Sequence, residues 1–326
     1  MLNRRQTLGA ALGAVAAGGM PVARAATLDK VVHVIVGFPA GGGTDIVARV
    51  LAQALQGDYA ASIVVEDRPG ASARLAVEYV KNAPPDGSVM LFTPDFPLTL
   101  YPSSFKALKY DPLKNFIAVG PAAKGSLTFS IGPAVPDSVK TLKDFVGWAR
   151  ANPAKANVAD TSAGATPHFT TVMLANEAKV TLTPVHYRGG APAMEDLIGG
   201  HVPASVNPVS EVMAFAKAGK IRALAVTGKQ RTPFLPDVPT MKEQGFDVVV
   251  ESLTGVFLPA QTPAPTVAAL NAAMRKASAS KQMIDSLAKF GTEPTYMTTA
   301  DFTAWIKEEI ARWQPVVKAS GFKALE

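Results

Sequence analysis

Residues 33–55, "HVIVGFPAGGGTDIVARVLAQAL", decide how the chain is read. A short apolar run enters three glycines, Gly41, Gly42 and Gly43, and leaves as a stretch with apolar residues at 46, 47, 50, 51, 54 and 55. That spacing buries one face of a helix, expected over Asp45–Gln56. Strand, glycine turn and helix start together make one unit of an α/β fold. The first N–H groups of a helix lack internal partners and carry partial positive charge, and glycines allow close approach and positive φ. The turn therefore favours an anion, phosphate or carboxylate, unless it is only a tight connection capped by Thr44 or Asp45. Nucleotide fingerprints do not fit it. Counting from Gly41, Ile46 stands where the third glycine of GxGxxG belongs, and Gly43 runs into Thr44-Asp45 with no Walker lysine.

The alternation continues outward. Strands are expected at Val31–Phe38, Ser62–Glu66 and Val89–Thr93, with a helix at 72–82 after Pro69-Gly70. A second set of strands is expected at Ser126–Ile131, Asn157–Ala159, Thr183–Tyr187, Val202–Val206 and Ile221–Thr227, with helices at Ser138–Ala151 and Pro167–Glu177. Val248–Val250 and Gly255–Leu258 then lead to helical stretches at 265–289 and 299–319. Such alternation implies parallel sheets covered by helices, and 326 residues suit two domains. The last helices are too few to form a domain alone, so they are expected to pack back on the N-terminal sheet. The chain would then cross between lobes twice, with lobe 1 at 26–125 plus 253–326 and lobe 2 at 126–252.

Composition narrows the function. Hydrophobic residues make up 48% and charged residues 18%, which suits a globular chain. With no cysteine there is no disulfide, thiolate nucleophile or Cys-ligated metal. His33, His168, His186 and His201 are scattered, without HExxH spacing, and Ser162-Ala163-Gly164 is not a GxSxG elbow. No catalytic pair, metal set or cofactor motif is visible, so binding without chemistry is expected. No dense Lys/Arg run interleaved with aromatics points to nucleic acid.

The first 26 residues, "MLNRRQTLGAALGAVAAGGMPVARAA", read as an export signal. Arg4-Arg5 precedes a mildly apolar stretch that ends in Ala23-Arg24-Ala25, so cleavage is expected after Ala25. The pattern resembles a twin-arginine signal, with a variant general secretory signal as the alternative, and either route ends in the periplasm. Cleavage would take three arginines and no acids from a net charge of +6. No apolar run of about 18 residues follows, so the remainder is expected to be soluble.

A second anion-friendly turn is "DTSAGATPHF", residues 160–169, again joining a strand to a helix through small hydroxylated residues and a glycine. If both turns lie at the carboxyl ends of parallel strands, two helix starts face each other across a cleft that a dicarboxylate can span. His168 either faces that cleft or lies in the core. Arg188, in Tyr187-Arg188-Gly189-Gly190, either holds a carboxylate bidentately or makes an exposed ion pair.

Taken together, "VGFPAGGGTDIVARVLAQAL", "APPDGSVMLF", "TSAGATPHF", "HYRGGAPAMEDLIGGHV", "GKIRALAVTGKQRTPFLPDVPTMKEQGF" and "FLPAQTPAPTVAALN" resemble the receptors of the tripartite tricarboxylate transporters, the Bug family of periplasmic solute-binding proteins. The stretches fall in family order over nearly all of residues 30–322. The resemblance implies a two-lobed periplasmic binding protein fold of type II kind, with a ligand cleft between lobes joined by two crossover segments. It implies a monomer that closes by a hinge and docks on a separate membrane permease. The ligand would be a small organic acid: a di- or tricarboxylate, an amino acid or an aromatic acid.

By motif match, the carboxylate would be held largely by backbone amides and waters. The first loop would supply Phe38, Ala40, Gly41, Gly42, Gly43, Thr44 and Asp45. The second would supply Thr161, Ser162, Gly164, Ala165, Thr166 and His168. Tyr187, Arg188 and Gly189 would border the same cleft.

Departures from the family pattern carry their own expectations. Pro69-Gly70 is usually followed by Ala-Gly-Gly, but here by Ala71-Ser72-Ala73-Arg74. Arg74 then either adds a positive charge to the cleft or lies exposed on a helix. Asp95 either receives a ligand amine or caps a loop. Pro203 replaces a common aspartate, and Leu253-Thr254 replaces a common aromatic pair at the cleft mouth, which weakens the case for an aromatic ligand unless Phe38 and Tyr187 stack on it. Two other roles remain open on sequence alone: a receptor that signals to a membrane sensor kinase, and an enzyme that couples His168 to Ser162.

Overall fold

The computed structural model describes residues 28–323, and the expected export signal lies outside them. β1 (Val32–Val36) runs through the glycine turn into α1 (Gly43–Leu55). β2 (Ile63–Asp67), α2 (Arg74–Lys81) and β3 (Val89–Pro94) follow, then the short turns α3 (Phe96–Thr99), α4 (Tyr101–Ser104) and α5 (Pro112–Asn115). β4 (Phe116–Ile131) is 16 residues long and belongs to two half-sheets.

Its first part pairs antiparallel with the later strand at 251–259, ending with Ser126 opposite Glu251. From Leu127 it pairs instead with the strands at 204–208 and 222–226. The second half-sheet continues with α6 (Leu142–Ala151), β5 (Asn157–Asp160), α7 (Thr166–Ala178), β6 (Thr183–His186), α8 (Gly190–Ile198), β7 (Ala204–Pro208), α9 (Val209–Lys217) and β8 (Arg222–Val226). β9 (Glu251–Pro259) returns to the first half-sheet and is followed by α10 (Ala264–Ser278), α11 (Lys281–Ala288), β10 (Glu293–Pro294) and α12 (Thr299–Ala319). Strand order is β2-β1-β3-β9-β4-β7-β5-β6, with β8 and β10 also on β4.

β1 illustrates why the units form. Val32, Val34 and Val36 point to one face and join Val47, Leu51 and Leu55 of α1, while Ile35 points to the other and meets Val77 and Val80 of α2. A strand covered on both faces reads as a continuous apolar run, and β1 pairs in parallel with both β2 and β3. The second half-sheet repeats the arrangement. Phe129, Val158 and Val206 pack under Phe145 of α6 and Phe169 of α7, and Ala159 on the other face meets Met194 and Leu197 of α8. Thr141 and Asp144 close a reciprocal capping box that starts α6.

Several boundaries differ from the sequence reading. The strand expected at 126–131 is only the end of β4, because the preceding "FIAVGPAAKG" has no clear apolar alternation. The expected helix at 265–289 is two helices, and α11 starts where Ser280 caps the Met283 amide. Residues 248–250 stay outside any strand, and β9 begins at Glu251. Residues 253–326 also do not all lie against the first sheet. Phe302 and Ile306 of α12 pack with Phe257 and Leu91, whereas Trp313 and Val317 pack with Phe129, Phe145 and Phe169. One 21-residue helix, about 30 Å long, thus puts a single apolar stripe into both lobes.

Candidate functional site

The first glycine turn is held by its own aspartate. The Gly41 N–H, at φ +78°, donates to Asp45 Oδ2 at 2.8 Å, and Gly42 donates to the Pro39 carbonyl at 3.2 Å. Asp45 is buried and pairs with Arg49 at 2.7 Å, which also reaches Asp67 at 3.1 Å. Its carboxylate therefore folds the turn. The amides of Gly43 and Thr44, with no acceptor inside α1, are what the turn presents.

Behind this turn lies a second, strained one. Ala71, Ser72 and Ala73 all have positive φ, at 47°, 53° and 69°. Each costs about 1–2 kcal/mol for a residue with a Cβ. Ala73 is wedged against Gly37, where an added Cβ would lie 2.6 Å from the Ala73 Cβ. Arg74 Nε donates to the Ala71 carbonyl at 3.0 Å, and its guanidinium lies 4.1 Å from the Phe105 ring centre.

In the second lobe the turn at 161–165 rests on Asp160. Asp160 Oδ1 accepts the Ser162 N–H at 3.0 Å, and Oδ2 bonds His186 Nδ1 at 2.8 Å. Gly164, at φ +72°, donates its N–H to His168 Nδ1 at 3.1 Å, which leaves the ring proton of a neutral His168 on Nε2. Burial, with the neighbouring His186 ring adding to it, pushes His168 down to about 4. His186 moves up through its bond to Asp160, and Asp160 is itself raised because burial outweighs that bond. Thr166, the first residue of α7, is buried with Oγ1 unpartnered.

The two turns meet across the interlobe cleft. Ser72 Oγ lies 3.2 Å from Ser162 Oγ, and Ser104 Oγ of α4 donates to the Gly164 carbonyl at 3.1 Å. A Cβ on Gly43 would come 3.4 Å from Ser210 Oγ, on the first turn of α9. An aromatic row runs along the first-lobe side, Phe38 to Phe96 to Tyr101 to Phe105, with ring centres 6.0, 5.5 and 4.6 Å apart. Two helix starts thus converge on one small volume, and an oxyanion there gains from both dipoles.

Other residues singled out from sequence sit differently. The Tyr187 hydroxyl donates to Asp196 Oδ2 at 2.6 Å, and burial together with that partner pushes the phenol up to about 12. Arg188 is exposed, and the Gly189 N–H donates to the Thr161 carbonyl at 3.0 Å, so it is backbone that ties this stretch to the loop. Asp95 is closed to solvent and accepts the Ser252 hydroxyl at 2.7 Å, where the chain returns to the first half-sheet.

Glu211 was not legible in the sequence. Asn207 Nδ2 donates to it at 2.8 Å, and its carboxylate lies so close to Gly190 that a Cβ there would be 1.8 Å from Oε2. The start of α8 is therefore occupied by the protein's own anion, whose proton affinity burial raises. Ser72, Tyr101, Ser104 and Ser210 also carry no motif and reach the cleft only through the fold. A depression of about 330 Å³ lined by Lys229, Glu251, Glu309 and Arg312 lies at the crossover, apart from the two turns.

Two α/β lobes joined by shared strands, with paired helix starts facing a cleft, define a periplasmic-binding-protein-type solute receptor. The profile of the tripartite tricarboxylate transporter family receptors matches residues 47–322, and the chain belongs to that family. BugT of Bordetella pertussis is 29% identical over 294 residues, covering 90% of each chain. Among solved structures, Rpa4515 of R. palustris with adipate superposes with a TM-score of 0.83 at 30% identity, covering 89% of this chain and 97% of its own. MatC of Rhodopseudomonas palustris, with bound malate, gives 0.79 at 28% identity, covering 88% and 98%. The resemblance read from the motifs and the two-lobed fold both hold. No helix among the described residues is long and apolar enough to cross a membrane.

Proposed function

We propose that this receptor works in the periplasm, captures a small organic acid between its lobes and delivers it to the membrane permease of a tripartite tricarboxylate-type transporter. The observation that carries the reading is the convergence of the α1 and α7 starts on one cleft, each presenting amides that lack partners inside its helix. The relatives solved with adipate and malate support a carboxylate as the ligand class. In this reading Gly43, Thr44, Ser162, Gly164, Ala165 and Thr166 surround the acid, and Phe38 and Ala40 form the rim. Asp45, His168, Gly189 and the Asp160–His186 pair hold the loops in place. The protein acts as a monomer, without turnover of the bound acid.

The lobe division read from the sequence, 26–125 plus 253–326 and 126–252, is kept with one amendment, that the second half of α12 belongs with lobe 2. Residues 1–25 act as the export signal, by the twin-arginine route.

The test is thermal stability against a panel of C4–C6 di- and tricarboxylates, acidic amino acids, benzoate-type acids and phosphate esters. Ligand at about 100 times Kd stabilises by roughly 2.7 kcal/mol. A carboxylate that raises Tm is the expected outcome. A response to phosphate esters alone would overturn the reading.

A further inference from the structure

Tyr101 poses a problem that the carboxylate loops do not solve. It is fully buried, at 0% exposure, and its Oη has no hydrogen-bond partner. An unmade bond at a buried hydroxyl costs about 1–3 kcal/mol. The hydroxyls of Ser72 and Ser162 lie beside the phenol, near enough to act on it electrostatically but not aligned to bond it. They come from opposite lobes and meet each other at 3.2 Å. Burial pushes the phenol far up, so Tyr101 stays a proton donor throughout the physiological range.

Ser72 is also held at φ 53°, between two alanines that are left-handed too. Glycine would adopt that backbone with no steric cost, so a side chain is kept there against strain. Strain of this kind concentrates at ligand clamps. Arg74, two residues on, adds positive potential at Tyr101.

We infer that Ser72, Tyr101 and Ser162 form a second oxygen-binding pole of the cleft, which takes the second carboxylate of an α,ω-dicarboxylate. One carboxylate oxygen placed among the three accepts from all of them and satisfies the orphan phenol. Because the serines belong to different lobes, the same oxygen joins the lobes and favours closure. The inference rests on the carboxylate-receptor reading above and narrows it from organic acids to those with acid groups at both ends.

The experiment is calorimetric titration of the protein with succinate, glutarate and adipate, and with butyrate, valerate and hexanoate as chain-matched monocarboxylates. Wild type, Tyr101→Phe and Ser72→Gly are compared, with Tm recorded for each without ligand. Wild type is expected to bind at least one dicarboxylate about ten- to hundredfold more tightly than its matched monocarboxylate, the size of a hydrogen bond to a charged group. Tyr101→Phe should erase most of that preference while leaving monocarboxylate binding and the ligand-free Tm unchanged or higher. Ser72→Gly should raise Tm and weaken dicarboxylate binding, opposite signs that a merely structural serine would not give. Equal binding of matched pairs by wild type, or equal loss for both acids in Tyr101→Phe, overturns this pole and leaves the receptor reading standing. Failure of all six acids together with a phosphate-ester response overturns both.

Discussion

The carboxylate of Asp95 accepts the Ser252 hydroxyl at 2.7 Å, while the Asp95 N–H donates to the Leu253 carbonyl at 2.8 Å. A buried acid at the head of α3 is thereby fastened to the first turn of the strand that brings the chain back between lobes. Burial raises Asp95 to about 7, the Ser252 bond opposes that rise, and Glu309 of α12 adds to it. Glu309 is paired with Arg312 at 3.0 Å. The folded value lies above the ordinary 3.8, so the stabilisation is complete below about 3.8 and is lost as pH rises through about 7. Asp95→Asn keeps an acceptor for Ser252 and removes the titration. We expect its Tm to exceed wild type increasingly from pH 4.5 to pH 8. A constant difference across that range would show that Asp95 ionises without penalty.

The two cleft histidines should titrate on opposite sides of 6.5, with His186 raised and His168 lowered to about 4. His168 contributes stability that is complete above 6.5 and lost as pH falls toward 4, because protonating Nδ1 removes the acceptor for the Gly164 N–H. The share of His186 is complete below 6.5 and lost as pH rises through its folded value. NMR titration of the imidazole nitrogens, assigned with His168→Gln and His186→Gln, measures both. Overlapping curves would mean that Asp160 does not discriminate between the rings.

Gly43→Val tests the first turn. The Cβ alone would reach 3.4 Å from Ser210 Oγ, and the two methyl groups beyond it must displace the second lobe. Overpacking of this kind costs about 1–3 kcal/mol, or about ten- to hundredfold in affinity. Carboxylate binding should fall by that factor with circular dichroism unchanged. Normal binding would remove α1 from the site.

Trp313 is the test of α12 as a shared element. It is 1% exposed and packs 6.4 Å, ring to ring, from Phe169 of the second lobe. Trp313→Ala should cost about 3–5 kcal/mol in denaturant unfolding. Phe302→Ala, at the first-lobe end of the same stripe, should cost a similar amount. Losses below about 1 kcal/mol at Trp313 would mean that the helix end merely rests on the second lobe.

Much of the architecture was legible before any coordinates, because the signals are local. Apolar period and glycine punctuation located β1, α1, β5 and α7, and the helix-start chemistry of Gly41–Asp45 and Thr161–His168 follows from backbone geometry. The first half of β4 was not legible, since "GPAAKG" has no strand pattern and is extended because β9 pairs with it. Nor was the role of Asp45, whose two bonds to the turn and to Arg49 depend on how the loop closes.

What the sequence alone determined is the α/β alternation, the two anion-friendly turns and the family to which the ordered motifs belong. Only the tertiary structure decided that Ser72 meets Ser162, 90 residues away, that Tyr101 is buried between them, and that α12 serves both lobes. Periodicity reports which face of an element is buried, through side-chain spacing along one strand or helix. It carries no information about which distant element supplies the other half of a contact, and in a cleft between two lobes every contact is of that kind.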